Sequence, residues 1–124
     1  MLESSDLVAF VAASDLPRAR AFYAQTLGLT LVEESDFACV FDANGTMLRV
    51  TAVAVVSPAD YTVLGWRVAD ITTELRQLLA RGVTCARYPG MDQDELGIWT
   101  TPGGEQVAWF DDPDGNTLSI TQFR

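Results

Sequence analysis

Asp112-Pro113-Asp114-Gly115-Asn116-Thr117-Leu118-Ser119-Ile120-Thr121-Gln122 reads as a tight turn followed by a strand. Pro113 presets φ for a turn, and Asp114-Gly115-Asn116 supplies residues that tolerate positive φ. Val107-Ala108-Trp109-Phe110 before it is apolar and β-prone, and Leu118 and Ile120 alternate with Ser119 and Thr121 after it. Turn residues between two such runs predict a hairpin. An earlier stretch, Asp42-Ala43-Asn44-Gly45-Thr46-Met47-Leu48-Arg49-Val50-Thr51, has the same organisation. The chain therefore contains one unit twice, and its function turns on what the two copies enclose.

Working outward, Leu7 to Ala13 is an apolar run suited to a buried strand. Ser14 or Asp15 can cap the helix that follows, Pro17 fits its first turn, and Gly28 ends it. Leu16, Ala19, Phe22, Tyr23 and Leu27 fall near one helical face. Strands are predicted over 30–34, 37–41 and 47–55. The second half repeats the order: a strand over 62–68, a cap at Asp70, a helix over 71–81 stopped by Gly82, then strands over 83–87 and 106–110 and the closing hairpin. The segment 89–97 reads as a loop, and Ile98-Trp99-Thr100 has the option of being extended. Val8–Asp15 aligns without a gap on Val63–Asp70, each a strand ending in a capping Asp. Each half is βαβββ, with module 1 over about 6–56 and module 2 over about 61–123, in one domain spanning 1–124. The predicted α+β architecture is a single curled, eight-stranded mixed sheet, with helices on its outer face and a cavity on the other.

Composition narrows the chemistry. The 124 residues carry a formal charge of −9, with no histidine, and all eight Lys+Arg positions are arginine. So acidic a chain repels phosphate backbones, which argues against nucleic acid as a partner. No apolar run approaches the roughly 20 residues that span a bilayer, which argues against a membrane. The acidic N-terminus lacks the basic region of a signal peptide, so a cytoplasmic location is expected. Cys39 and Cys85 belong to no CxxC pair and read as free thiols in a reducing compartment. A Ser-His or Cys-His nucleophile pair is impossible without histidine, and Schiff-base chemistry is impossible without lysine. Carboxylates such as Glu33, Asp42, Asp94 and Glu105 are available for acid–base work, but no spacing forces two together, and solvated charge accounts for them.

Ser14-Asp15-Leu16-Pro17-Arg18-Ala19-Arg20-Ala21-Phe22-Tyr23, Leu27-Gly28-Leu29, Val68-Ala69-Asp70-Ile71 and Trp109-Phe110-Asp111-Asp112-Pro113-Asp114-Gly115-Asn116 together resemble the vicinal oxygen chelate superfamily of glyoxalases, bleomycin-resistance proteins and extradiol dioxygenases. The resemblance implies paired βαβββ modules and a homodimer. In catalytic members it also implies a divalent metal held by His, Glu or Gln on the first and last strands of each module. Those positions correspond to Val8, Arg49, Val63 and Ser119, none of which suits a metal. No metal and no other cofactor is therefore expected.

Alternation from Val8 places Phe10 on the cavity face, with Val63 and Arg67, Met47 and Arg49, and Ser119. Trp109 is expected there too, and Phe41 on the equivalent strand. Phe10, Phe41, Met47, Val63 and Trp109 would then line an apolar cavity with Arg49, Arg67 and Ser119 as polar points, a pattern that suits a small-molecule ligand. The same side chains could instead fill space or a dimer interface, and the arginines could bond to carboxylates at the rim. Three functional readings follow. The first is a metal-free protein binding a small apolar or aromatic molecule. The second is an enzyme of the same superfamily (lyase, isomerase or dioxygenase) with atypical catalytic residues. The third is an interaction domain without a small ligand.

Overall fold

Val8–Ala13 forms the first strand, β1. Asp15 leaves it in an extended conformation, and its Oδ1 accepts the Arg18 N–H at 3.1 Å, which starts α1 over Leu16–Ala21. The helix widens into a π turn over Phe22–Thr26, where the Leu27 N–H reaches the Phe22 carbonyl at 2.9 Å. Gly28, at φ 78°, stops it. β2 (Thr30–Glu34), β3 (Ala38–Ala43) and β4 (Thr46–Ala52) follow. In this computed structural model, which describes residues 1–124, the chain divides into two compact units, 1–57 and 58–124.

The second unit repeats the plan. β5 (Leu64–Arg67) leads to Asp70, whose φ and ψ of −138° and 99° nearly match the −142° and 97° of Asp15. The Asp70 carboxylate accepts the Thr73 N–H and the Thr73 hydroxyl, which holds its pKa below the usual carboxylate value and starts α2 (Ile71–Ala80). Gln122 Oε1 accepts the Ile71 N–H at 2.9 Å, tying the last strand to this helix start. β6 (Trp99–Thr100), β7 (Gln106–Asp111) and β8 (Thr117–Gln122) complete the unit. No helix is long and apolar enough to cross a membrane.

The single curled eight-stranded sheet predicted from the sequence does not form. There are two separate four-stranded mixed sheets, ordered β1-β4-β3-β2 and β5-β8-β7-β6. The reason is that each half closes its own ladder. The last strand returns beside the first in parallel, β4 along β1 and β8 along β5, and the remaining pairs are antiparallel. A duplicated sequence dictates two such ladders but supplies no pairing that joins them.

The predicted strand over 83–87 also fails. Cys85 makes an isolated bridge to Phe110, and the Ala86 N–H reaches the Trp109 carbonyl at 2.7 Å, but the fourth strand of the sheet is Trp99–Thr100, paired with Val107 and Gln106. The edge of β7 is thus shared by two short segments, with residues 87–98 looping out between them.

In each unit one sheet face carries the helix. Leu48, Val50, Cys39 and Phe41 share that face in the first unit and are buried with Val11, Ala13, Ala19 and Tyr23. In the second, Leu118, Ile120, Ala108 and Phe110 are buried with Ile71 and Leu75 of α2. Each large apolar side chain so enclosed contributes about 1.5–3 kcal/mol.

The turn between β7 and β8 is held by Asp112, which is only 6% exposed. Its Oδ1 accepts the N–H groups of Asp114 and Asn116 at 3.0 and 2.9 Å, and its Oδ2 accepts the Asn116 side-chain amide at 2.8 Å. Asp112→Ala would strand these donors, and we expect a loss of about 2–4 kcal/mol of stability, read as a lower urea midpoint. A midpoint within experimental error of wild type would show that the turn forms without the carboxylate.

Candidate functional site

The helix-free face of the first unit is set by the pairing of β1, β4 and β3. Val8, Met47 and Asp42 form one cross-strand row, and Phe10, Arg49 and Val40 form the next. Phe10 and Met47 are 62% and 43% exposed, and Arg49 is half-buried between strands on both sides. Arg49 makes no hydrogen bond or ion pair with the chain; the Arg20–Glu34 pair, 2.9 Å apart, lies elsewhere. A cavity of about 320 Å³ opens at the end of this face, lined by Asp6, Leu7, Val8, Val32, Phe41, Asp42, Gly45 and Met47.

Phe41 departs from the expected face. It pairs with Leu48, so its ring points to the helix side, where it is fully buried and lies 5.9 Å from the Tyr23 ring. The cause is register: Asn44-Gly45 makes a two-residue turn with both φ positive, pairing Ala43 with Thr46, and this fixes the parity of every later pair. A larger hollow in this unit, about 760 Å³, lies beside the start of α1 and the end of β2, away from Phe10 and Arg49. It is mostly polar, and the Arg20–Glu34 pair stands on its wall.

On the helix-free face of the second unit, Gly65, Ser119 and Trp109 share one cross-strand row, and Arg67, Thr121, Val107 and Trp99 share the next. Alternation puts Val63 on the same face. A Cβ at Gly65 would stand 2.7 Å from Ser119 Oγ, so glycine is what admits the buried hydroxyl. The Arg67 guanidinium lies over the Phe123 ring, 4.8 Å from its centroid. The structure therefore brings Phe10, Met47 and Arg49 together on one unit, and Val63, Arg67, Trp109 and Ser119 together on the other.

Trp109 is the centre of an aromatic group. Trp99 stacks on it with centroids 6.1 Å apart, Tyr88 meets it edge-on at 5.5 Å, and its indole N–H donates to Thr62 Oγ1 at 3.0 Å. The sequence reading singled out neither Tyr88 nor Trp99, because both reach Trp109 only through the 87–98 loop. Gln93 clasps that loop: its Nε2 donates to the carbonyls of Ala86 and Gly97, both at 2.9 Å, and its Oε1 accepts the Tyr88 N–H at 2.8 Å. Asp94 Oδ1 accepts three successive backbone N–H groups, from Leu96, Gly97 and Ile98. Arg87 spends its guanidinium on the carbonyls of Asp94 and Glu95. Burial raises the pKa of the Tyr88 hydroxyl, with the Asp111 charge adding to it. Burial and the neighbouring Asp112 charge raise that of the Asp111 carboxyl. Cys39 and Cys85 are free thiols, both pushed up first by burial.

Two βαβββ units, each with one helix-covered and one helix-free sheet face, define a recognisable class of protein. The sequence profile of the glyoxalase/bleomycin resistance protein/dioxygenase superfamily matches residues 6–120, and the chain belongs to that superfamily. Its fold is similar to that of a superfamily member from Sphaerobacter thermophilus DSM 20745, at 23% identity and a TM-score of 0.76, covering 99% of this chain and 100% of the other. It is also similar to a lactoylglutathione lyase from Agrobacterium tumefaciens, at 19% identity and a TM-score of 0.75, covering 96% and 93%. No curated protein matches the sequence significantly.

The metal that catalytic members hold does not fit the residues here. Val8 and Val63 have no donor atom, Arg49 is a cation, and Ser119 is a neutral hydroxyl packed against Gly65. No group of three or more His, Cys, Asp or Glu side chains is placed to hold a metal ion.

Gln93→Ala should release the 87–98 loop. We expect about 2–3 kcal/mol lower stability and faster hydrogen exchange at the Tyr88 amide. Unchanged exchange at that amide would mean that Asp94 and Arg87 hold the loop without Gln93.

Proposed function

We propose that this chain is a metal-free member of its superfamily that binds a small apolar or aromatic molecule carrying an acidic or carbonyl group. The observation that carries this reading is Arg49, a half-buried residue whose guanidinium has no partner in the chain, in the row shared with Phe10 and next to the row holding Met47. A charge held partly out of water is stabilised by a counter-charge or by bidentate hydrogen bonds, and a ligand carboxylate offers both. Phe10, Val8 and Met47 supply apolar surface beside it. The neighbouring cavity of about 320 Å³ is at the lower end of the range for small-molecule pockets. On the second unit Trp109, Val63, Arg67 and Ser119 offer a comparable face. The homodimer belongs to the same proposal: Leu7, Phe10, Val32 and Phe37 are exposed apolar side chains of the kind that association covers.

The test is calorimetric titration with an aromatic carboxylate such as naphthoate. Arg49→Ala should weaken binding about tenfold or more, and Arg49→Lys should restore part of it. Equal affinity for wild type and Arg49→Ala would remove the anchor, and activity that rises with added divalent metal would favour an enzyme of unusual ligation.

A further inference from the structure

The Trp109 group has a feature that an apolar or acidic ligand does not use. Asp111 lies two residues along β7 from Trp109, on the same helix-free face, and pairs across the ladder with Thr117. Its carboxylate has no hydrogen-bond or ion-pair partner in the chain. Arg87, in the loop that carries Tyr88, donates to the Asp94 and Glu95 carbonyls at 2.6 and 2.7 Å. Asp111 also lies close enough to Tyr88 for its charge to act on the phenol. An unpaired carboxylate thus stands two residues along the helix-free face from Trp109, the centre of the aromatic group.

The rings are held rather than loose. The Trp109 N–H is fixed on Thr62, and Tyr88 is edge-on to the indole at an interplanar angle of 86°, so the two rings form a corner. Aromatic faces carry negative potential and attract cations, and a carboxylate at the rim adds to that attraction. The same unit already satisfies one cation in this way, the Arg67 guanidinium over Phe123. With a formal charge of −9, the chain as a whole favours the approach of a cation.

The geometry points to the corner made by Tyr88, Trp99, Trp109 and Asp111 as a binding site for an organic ammonium group. The ligand class is an alkylated or protonated amine, its charge toward Asp111 and its alkyl groups on the indole. It does not rest on Arg49, which lies on the other unit, and its ligand differs in charge from the one proposed for the face that Trp109 shares with Val63, Arg67 and Ser119.

The experiment uses the full chain, choline as probe, and 3,3-dimethylbutan-1-ol as its neutral isostere, followed through the three tryptophan indole N–H resonances. Trp66 pairs with Ile120 on the helix side of the same sheet and is the internal control. Choline should shift the Trp99 and Trp109 signals saturably and leave Trp66 in place, and the isostere should bind about fivefold more weakly. Asp111→Asn should weaken choline about threefold to fivefold while leaving naphthoate binding intact. Tyr88→Leu should act in the same direction, and it keeps the test decisive if the first variant misfolds. Equal binding of choline and its isostere, shifts confined to Trp66, or no saturation below about 50 mM would overturn the assignment. Loss of naphthoate binding in Arg49→Ala bears only on the other site.

Discussion

One buried carboxylate sets the register on which the second unit depends. Asp112 gathers the backbone of Asp114 and Asn116 and the Asn116 side chain around its two oxygens. The turn it makes pairs Asp111 with Thr117, and from that pair the ladder counts back to Phe110–Leu118 and Trp109–Ser119. Side chains alternate along a strand, so a slip of one residue would send Phe110 to the helix-free face and Trp109 into the core. The aromatic group, the Gly65–Ser119 contact and the placement of Asp111 all follow from that count. The first unit solves the same problem more cheaply. Asn44 and Gly45 have φ of 51° and 94°, and Asp42 Oδ1 accepts only the Gly45 N–H from this turn.

What the sequence revealed was local. Capping aspartates, stop glycines, alternation on β5 and β8, and the turn signals each depend on a few adjacent residues, and Asp15, Asp70, Gly28 and Gly82 stand where those rules put them. What it hid was non-local. Val83–Arg87 has strand composition, but whether it pairs along its whole length depends on what else competes for the β7 edge. Trp99–Thr100 takes part of that edge once Gln93 and Asp94 have folded the loop back. Phe41 faces the helix, against the expectation from its strand, because the parity of β3 depends on the turn and the ladder with β4, not on its own pattern. The division into two sheets was illegible for the same reason, since hydrogen bonds between strands leave no signature within either one.

The candidate sites divide along the same line. Arg49, Phe10 and Met47 could be placed together because β1 and β4 are regular and their alternation is unbroken. Tyr88 and Trp99 could not, because side-chain to backbone bonds from Arg87, Gln93 and Asp94, rather than a periodic element, carry them to Trp109. A long polar loop without periodicity reads as solvated chain. Here its polar side chains are turned inward on its own backbone, and its aromatic residues are what it presents to the sheet.

Arg49 and Asp111 stand without partners in a chain whose carboxylates outnumber its cations, 17 to 8. Without lysine, the chain has few flexible cations to reach across and neutralise an exposed carboxylate, and its arginines form planar, directional contacts instead. Of the five in the second unit, Arg67 covers a ring, Arg87 ties a loop, Arg124 donates to the Gly103 carbonyl, and Arg76 and Arg81 belong to α2 and its C-cap. None of them pairs with Asp111. On the first unit Arg20 is taken by Glu34, and Arg49, flanked by Phe10 and Val40, has no carboxylate in its row. The four positions at which the family resemblance would place metal donors thus hold two valines, an arginine without a partner in the chain and a serine packed against Gly65. Building a metal site here would take more than replacing Ser119 with a histidine or glutamate. Val8, Arg49 and Val63 would still supply no donor, and a single ligand does not hold a metal ion.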